Sequence, residues 1–503
     1  MLAIRRVALC FAAIMFVLTA PARAAQAQAF DRQGWLDDYA TLKQVLEHRY
    51  ANLAWFASPE GGVDLPAVDR HALAQLNAAS TDDDARAAIV AFVRAFHDGH
   101  FSQLGSDNAA AARSGPAPRA PAPARPTYTR NDAATGCAAL GVVASDPPQF
   151  SLPFETLAGF TLYADGIGTP FRAGLLQSGE GHARVGIVRI AAFEEEVTFA
   201  ACVAAWNRPE VWHADGTIDR GRLHETVIAR WYAEMADILH RFQRDTVAVV
   251  AVDVGANSGG DDSGDVIARL FTSKLLRSST MLISQDSAAA TAYFKEEIDA
   301  LTDALKRDPS SALVTGTLKT FTTWRDSLDA RRCPLQWVWT ERRSWTGGGC
   351  TRLVPVGTSG GPLASLAQGA VRDTVVAREL SWSAQVAPLW GSWAGPLYVI
   401  TDGRTYSSAE MFTAILRNNE AARTIGAKTG GDGCGFIDSN GQVVLPHSGL
   451  RFRVPNCVRI RADGTDEVAG VSPDVPVLVT PGESARARAL RLMQALTSDF
   501  GRR

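Results

Sequence analysis

The sequence predicts an α/β protein: a core of alternating strands and helices, preceded by a helical domain and a small β-rich module. Three observations carry this. Val185-Gly186-Ile187-Val188-Arg189-Ile190 and the run from Val247 to Val252 are continuous and apolar, as strands covered on both faces must be. Helical periodicity follows each of them, from His224 to Arg244 and from Asp265 to Phe271. The alternation resumes at Leu397-Tyr398-Val399-Ile400, which leads into a helix through Ala409, Phe412, Ile415 and Leu416.

The chain opens on an export signal. Arg5 and Arg6 precede an apolar run from Val7 to Ala20, and Ala22-Arg23-Ala24 supplies small residues for cleavage, which marks 1–24 as a signal peptide. Pro21 closes the run too early for a spanning helix. Leu9 stands before Cys10 where lipid attachment needs a small residue, so a lipoprotein is not expected. The mature protein is expected to be exported, periplasmic or secreted, with no membrane span.

Residues 30–105 form the helical domain, with an apolar face set by Trp35, Leu42 and Leu46 and a second amphipathic stretch from Ala87 to Phe96. Residues 106–130 are an Ala/Pro-rich linker, a composition that cannot bury a core. Residues 131–182 carry short strand signals such as Phe160-Thr161-Leu162-Tyr163, the expected β-rich module. The core runs over 183–480, interrupted by an irregular, Trp-containing insertion at about 288–390, and 481–503 is a terminal helix.

Of seven cysteines, Cys10 leaves with the signal peptide. Cys137, Cys202, Cys333, Cys350, Cys434 and Cys457 remain, an even set that reads as disulfides in an oxidising compartment. Their spacing suggests neighbours pairing in order, without fixing the connectivity. The formal charge of −3 becomes about −6 on cleavage, and charges of both signs are scattered, which excludes a nucleic-acid partner.

Two strand-to-helix turns carry chemistry. In Asp253-Val254-Gly255-Ala256-Asn257-Ser258-Gly259-Gly260 the Gly pair permits positive φ and turns backbone N–H groups outward, ready for an anion. In Thr405-Tyr406-Ser407-Ser408-Ala409-Glu410 a hydroxyl stands at a helix N-terminus, where free N–H groups favour developing negative charge. A serine there can attack while the next N–H binds the oxyanion. Taken alone, the second segment reads rather as an ordinary N-cap at Ser407 or Thr405, with Glu410 completing a capping box three residues after Ser407.

Together these segments resemble the S41 (C-terminal processing, tail-specific) peptidase family over most of residues 185–480. Val185 to Phe193 is similar to the family's opening strand, and Asp253 to Gly260 to its D-x-R-x-N-x-G-G turn, with Gly255 in place of Arg. Thr405 to Glu410 matches T-x-S-A-A-E, Ile425 to Gly431 matches V-G-E-x-T-x-G, and Gly470-Val471-Ser472-Pro473-Asp474 matches G-V-x-P-D. The resemblance implies a ClpP/crotonase-like core, a serine-type endopeptidase acting on polypeptides, and Ser407 as nucleophile. It implies no metal and no cofactor. Gly259, Gly260 and Ser408 would form the oxyanion hole. Where one branch of the family carries a lysine base this chain has Asp432, and Lys428 lies four residues earlier. The other branch, similar to the tricorn core, takes a histidine from an upstream segment. Phe96-His97-Asp98-Gly99-His100 resembles that element and makes His100 the base, a role suited to an imidazole pKa. A helix-closing histidine is the plain alternative for His100, and packing or a shared metal face for His97. Glu467, chosen over Asp466, would orient the imidazole. Residues 131–182 are short for the peptide-capturing PDZ module of many members and would hold at most a degenerate one. The same fold also admits a non-catalytic ligand-binding protein, or an esterase or acyl-transfer enzyme.

Overall fold

The computed structural model describes residues 30–105, 129–143, 146–177, 183–194, 198–285, 287–328, 333–344, 352–437 and 442–503. The signal peptide, nearly all of the Ala/Pro-rich linker and Cys350 lie outside the described residues.

The helical domain is built from α1 (Arg32–Arg49), α2 (Leu53–Phe56), α3 (Leu65–Ala78) and α4 (Asp82–Arg94). α4 starts at a capping box on Thr81, whose hydroxyl accepts from Asp84 N–H while the Asp84 carboxylate accepts from Thr81 N–H. Trp35, Leu42, Leu46, Ile89 and Phe92 bury together in its core. β1 (Ser102–Gln103) then leaves the domain and pairs with a strand more than three hundred residues away, described below.

Next come α5 (Ala133–Ala139), β2 (Phe160–Asp165), β3 (Arg172–Leu176), β4 (Val185–Arg189), α6 (Phe199–Trp206), α7 (Arg220–Arg244) and β5 (Val249–Asp253). They are followed by α8 (Ser263–Ile267), β6 (Thr280–Ser284), α9 (Ser287–Arg307), α10 (Ala312–Asp326), β7 (Leu353–Thr358), α11 (Thr374–Leu380) and β8 (Leu397–Thr401). The chain ends with α12 (Ser408–Asn418), β9 (Arg423–Gly426), β10 (Gln442–Val444), β11 (Arg451–Arg453), β12 (Cys457–Ile460), β13 (Val475–Pro476) and α13 (Ala485–Gly501).

A seven-stranded sheet in the order β13-β9-β8-β5-β4-β3-β2 organises the core. β4, β5, β8, β9 and β13 run parallel. Trp231, Met235 and Leu239 of α7 and Phe412 of α12 cover one face, packing with Val252 and Val399. Leu492 and Leu496 of α13 cover the other with Ile187 and Ile400. Burial on both faces is why these strands read as unbroken apolar runs.

Two expectations are corrected. Residues 131–182 do not stand apart as a β-rich module: β3 pairs antiparallel with β4, and β2 with β3, so they extend the edge of the main sheet. The described residues of the stretch 288–390 are largely regular. α9, α10 and α11 pack on β7, burying Phe294, Leu301, Phe321 and Val376, and β7 joins β6 and β12 in a second sheet. Cys137 is bonded to Cys202 and Cys434 to Cys457, the neighbouring pairs the spacing suggests, and Cys333 is also disulfide-bonded. Among the described residues no helix is long and apolar enough to cross a membrane.

Candidate active site

Three consecutive parallel strands end side by side, and the loops at their carboxyl ends build the site, where α/β sheets place ligands. The turn after β5 carries Asn257, Gly259 and Gly260, the turn after β8 carries Ser407, and the loop after β9 carries Asp432. Backbone bonds lock them: Tyr406 N–H donates to Asn257 O (2.9 Å) and Gly430 N–H to Thr405 O (2.9 Å). Thr405 Oγ1 donates to Val254 O at 3.0 Å, tying the second turn to the first.

Ser407 precedes α12 with φ 51 and ψ −118, a left-handed conformation that a non-glycine residue adopts only when its surroundings impose it. Its side chain makes no capping bond, so the N-cap alternative fails. Ser408 Oγ is buried beside Gly264, where a Cβ would lie 2.4 Å from it, and so Ser408 faces inward.

The anion-binding expectation is narrowed. Gly259 N–H is committed to Asn257 Oδ1 at 2.7 Å. Gly259 contributes room: a Cβ there would sit 2.6 Å from Ser407 Cβ and 2.8 Å from Ser408 N. Among the described residues, Gly260 N–H and Ser408 N–H have no acceptor. Gly255, in the family's arginine position, offers its carbonyl to Arg189, which also pairs with Asp253 at 3.5 Å.

His100 closes the segment after α4. Its Nδ1 lies 3.1 Å from Asp432 O. A carbonyl only accepts, so Nδ1 carries the hydrogen and Nε2 presents its lone pair. Neither His100 Nε2 nor Ser407 Oγ has a hydrogen-bond partner among the described residues. Burial lowers the His100 pKa below the ordinary imidazole value, against the raising effect of Asp98. Asp98 accepts from Tyr50 Oη (2.7 Å) and from His100 N–H (2.9 Å), and burial pushes its carboxyl up to about 6.

Glu467 is not hydrogen-bonded to the imidazole. Its carboxylate accepts from Ser279 Oγ (2.9 Å) and Arg459 Nε (2.6 Å), and the imidazole Nδ1 is bonded to the Asp432 carbonyl instead. Asp466, the alternative, accepts from Asn52 Nδ2 at 2.9 Å and joins the helical domain to the core. Asp432 accepts from Gly99 N–H through its side chain (3.0 Å), so one residue holds both members of the Gly99-His100 pair. Lys428 is exposed, and His97 is exposed with φ 55 on the wall of the adjoining cleft.

Two residues escaped sequence reasoning. Arg459 of β12 is buried and donates to Ser407 O (3.3 Å) and Gly433 O (2.7 Å), clamping the turn that carries Ser407 to the loop that holds His100. Nothing in its local sequence signals this. Glu410, expected to complete a capping box, instead accepts from Thr429 Oγ1 (2.5 Å), Gly431 N–H (2.8 Å) and Asp432 N–H (2.8 Å). Burial raises its carboxyl to about 7. Its place in the T-x-S-A-A-E segment was the available signal.

Residues 184–477, well over half the chain, match the model of peptidase family S41. The chain belongs to peptidase family S41. A likeness in fold to solved structures extends beyond the matched segment. Mature CPAF is similar at TM-score 0.53 and 14% identity, with 93% of this chain and 96% of that one covered. Mature CPAF complexed with lactacystin is similar at TM-score 0.51 and 14% identity, with 94% and 98% covered. No curated protein matches the chain in sequence. Membership of S41 accounts for the order of the five motifs, and the three strand-end loops are where those motifs converge.

Proposed function

We propose that this S41 member is an exported serine peptidase that cleaves polypeptides through an acyl-enzyme on Ser407. The observation that carries the reading is Ser407 at φ 51, uncapped at a helix N-terminus, with free Ser408 and Gly260 N–H groups beside it. Ser407 Oγ attacks the peptide carbonyl while His100 Nε2 takes its proton, and the carbonyl oxygen collects charge on those two N–H groups. His100 then returns the proton to the leaving amine, and water enters by the reverse sequence. The Asp432 carbonyl holds the tautomer that this requires. Glu467 acts at one remove, by fixing Arg459 on the Ser407 carbonyl. The leader sequence and the disulfides support export.

A matched panel of peptides and their ester analogues tests the assignment with the mature protein. Hydrolysis of internal peptide bonds, abolished by Ser407→Ala, is expected. Turnover confined to esters would replace the peptidase reading with an esterase one, and no turnover of either would favour a binding protein.

A further inference from the structure

β1 follows His100 directly and forms one edge of the three-stranded sheet β1-β11-β10. Its ladder places Ser102 opposite Arg453 and Gln103 opposite Phe452. Leu104 N–H donates to Arg451 O at 2.8 Å, which makes Leu104–Arg451 a hydrogen-bonded pair. Antiparallel pairs alternate, so at Gln103 the backbone N–H and C=O point away from β11, out along the free edge. Among the described residues neither group has a partner. Exposed edges are commonly blocked by proline, lysine or a bulge, and this one carries only Ser102 and Gln103.

The edge borders a specific space. A cleft of about 560 Å³ is lined by Gly99, Phe101, Ser102, Gln103, Tyr406 and Asp432. It therefore runs from the residue before Ser407 to the residues flanking His100. An extended chain laid along Gln103 would pair its own backbone with that N–H and C=O and continue towards the nucleophile.

We infer that the free edge of β1 binds the polypeptide substrate by strand addition at Gln103, aligning its backbone across His100 and Ser407. This rests on the catalytic reading of those two residues. Recognition of this kind uses main-chain groups common to all peptides, so it selects an extended, unfolded segment rather than a particular side chain.

The test removes the outward N–H. Gln103→Pro takes away a donor that the ladder does not use, a substitution edge strands tolerate. KM for a fluorescein-labelled casein is expected to rise roughly three- to tenfold, the worth of one net hydrogen bond, with the loss falling on KM rather than kcat. Val444→Pro, at the opposite edge of the same sheet, is expected to leave KM unchanged. An unchanged KM in Gln103→Pro, or an equal rise in Val444→Pro, would overturn the inference. Should Gln103→Pro fail to fold, the wild-type protein still decides, through a peptide substrate N-methylated one amide at a time. One position flanking the cleaved bond should raise KM when methylated, and a scan without such a position would refute strand addition. Covalent labelling of Ser407 by a fluorophosphonate, read in parallel on wild type, reports separately on the catalytic reading.

Discussion

Replacing Ser407 by glycine should leave the protein more stable than replacing it by alanine, the reverse of the usual order. At φ 51 and ψ −118 a side chain carries a backbone strain of about 1–3 kcal/mol, which glycine does not feel. Glycine pays about 0.5–1 kcal/mol more conformational entropy on folding. The balance favours Ser407→Gly over Ser407→Ala by about 1 kcal/mol. Both variants lose the hydroxyl, which makes no capping bond, so that loss cancels in the comparison. For a chain of this length the difference corresponds to roughly 1 °C in Tm, resolvable by replicate calorimetry of the two variants side by side. An alanine variant as stable as the glycine variant, or more so, would refute the claim that the turn is strained.

Further outcomes follow from the same structure. His100→Ala should cut kcat/KM nearly as far as Ser407→Ala, because nucleophile and base act as a unit, whereas Lys428→Ala should be mild. Since burial lowers the His100 pKa, wild-type kcat/KM should rise with pH through an apparent pKa below the ordinary imidazole value, and a profile rising only in the lysine range would contradict this. Glu410→Gln should lower kcat/KM by about tenfold or more by loosening the loop that holds His100. It should also change the pH dependence of stability. A carboxyl raised to about 7 from an ordinary value of 4.5 favours the fold most below 4.5, and loses that contribution as pH rises through 7. The wild type should therefore lose stability between pH 5 and 8 relative to Glu410→Gln, and parallel unfolding curves would refute it. Removing the Cys434–Cys457 bridge by paired serine substitutions should cost about 3 kcal/mol for a loop of 23 residues, read by denaturant unfolding, and an unchanged midpoint would refute it.

The core was legible because its strands are buried on both faces and its helices on one. Val247–Val252 and Leu397–Ile400 read as apolar runs for that reason, and Phe412, Ile415 and Leu416 as a helical stripe. The strand signal at Phe160–Tyr163 was read, but it was grouped into a separate module because a short strand does not announce its partner: the pairing of β2 with β3 and of β3 with β4 is set by contacts, not by local pattern. In α9 the signal was present, since Ala290, Phe294, Leu301 and Ala304 fall on one buried helical face. At the site, Ser407 and His100 came from motif spacing. The group bonded to His100 Nδ1 is a main-chain carbonyl, which sequence does not mark, and Glu467 pairs with Arg459, a partner visible only in three dimensions.

The central claim is that Ser407 is an activated nucleophile and Ser408 is not. Mature protein treated with a fluorophosphonate probe and mapped by peptide mass spectrometry tests it most directly. The account predicts a single adduct on Ser407, absent in Ser407→Ala, retained in Ser408→Ala and slowed strongly in His100→Ala. An adduct on Ser408, or labelling of Ser407 at the wild-type rate without His100, would contradict it.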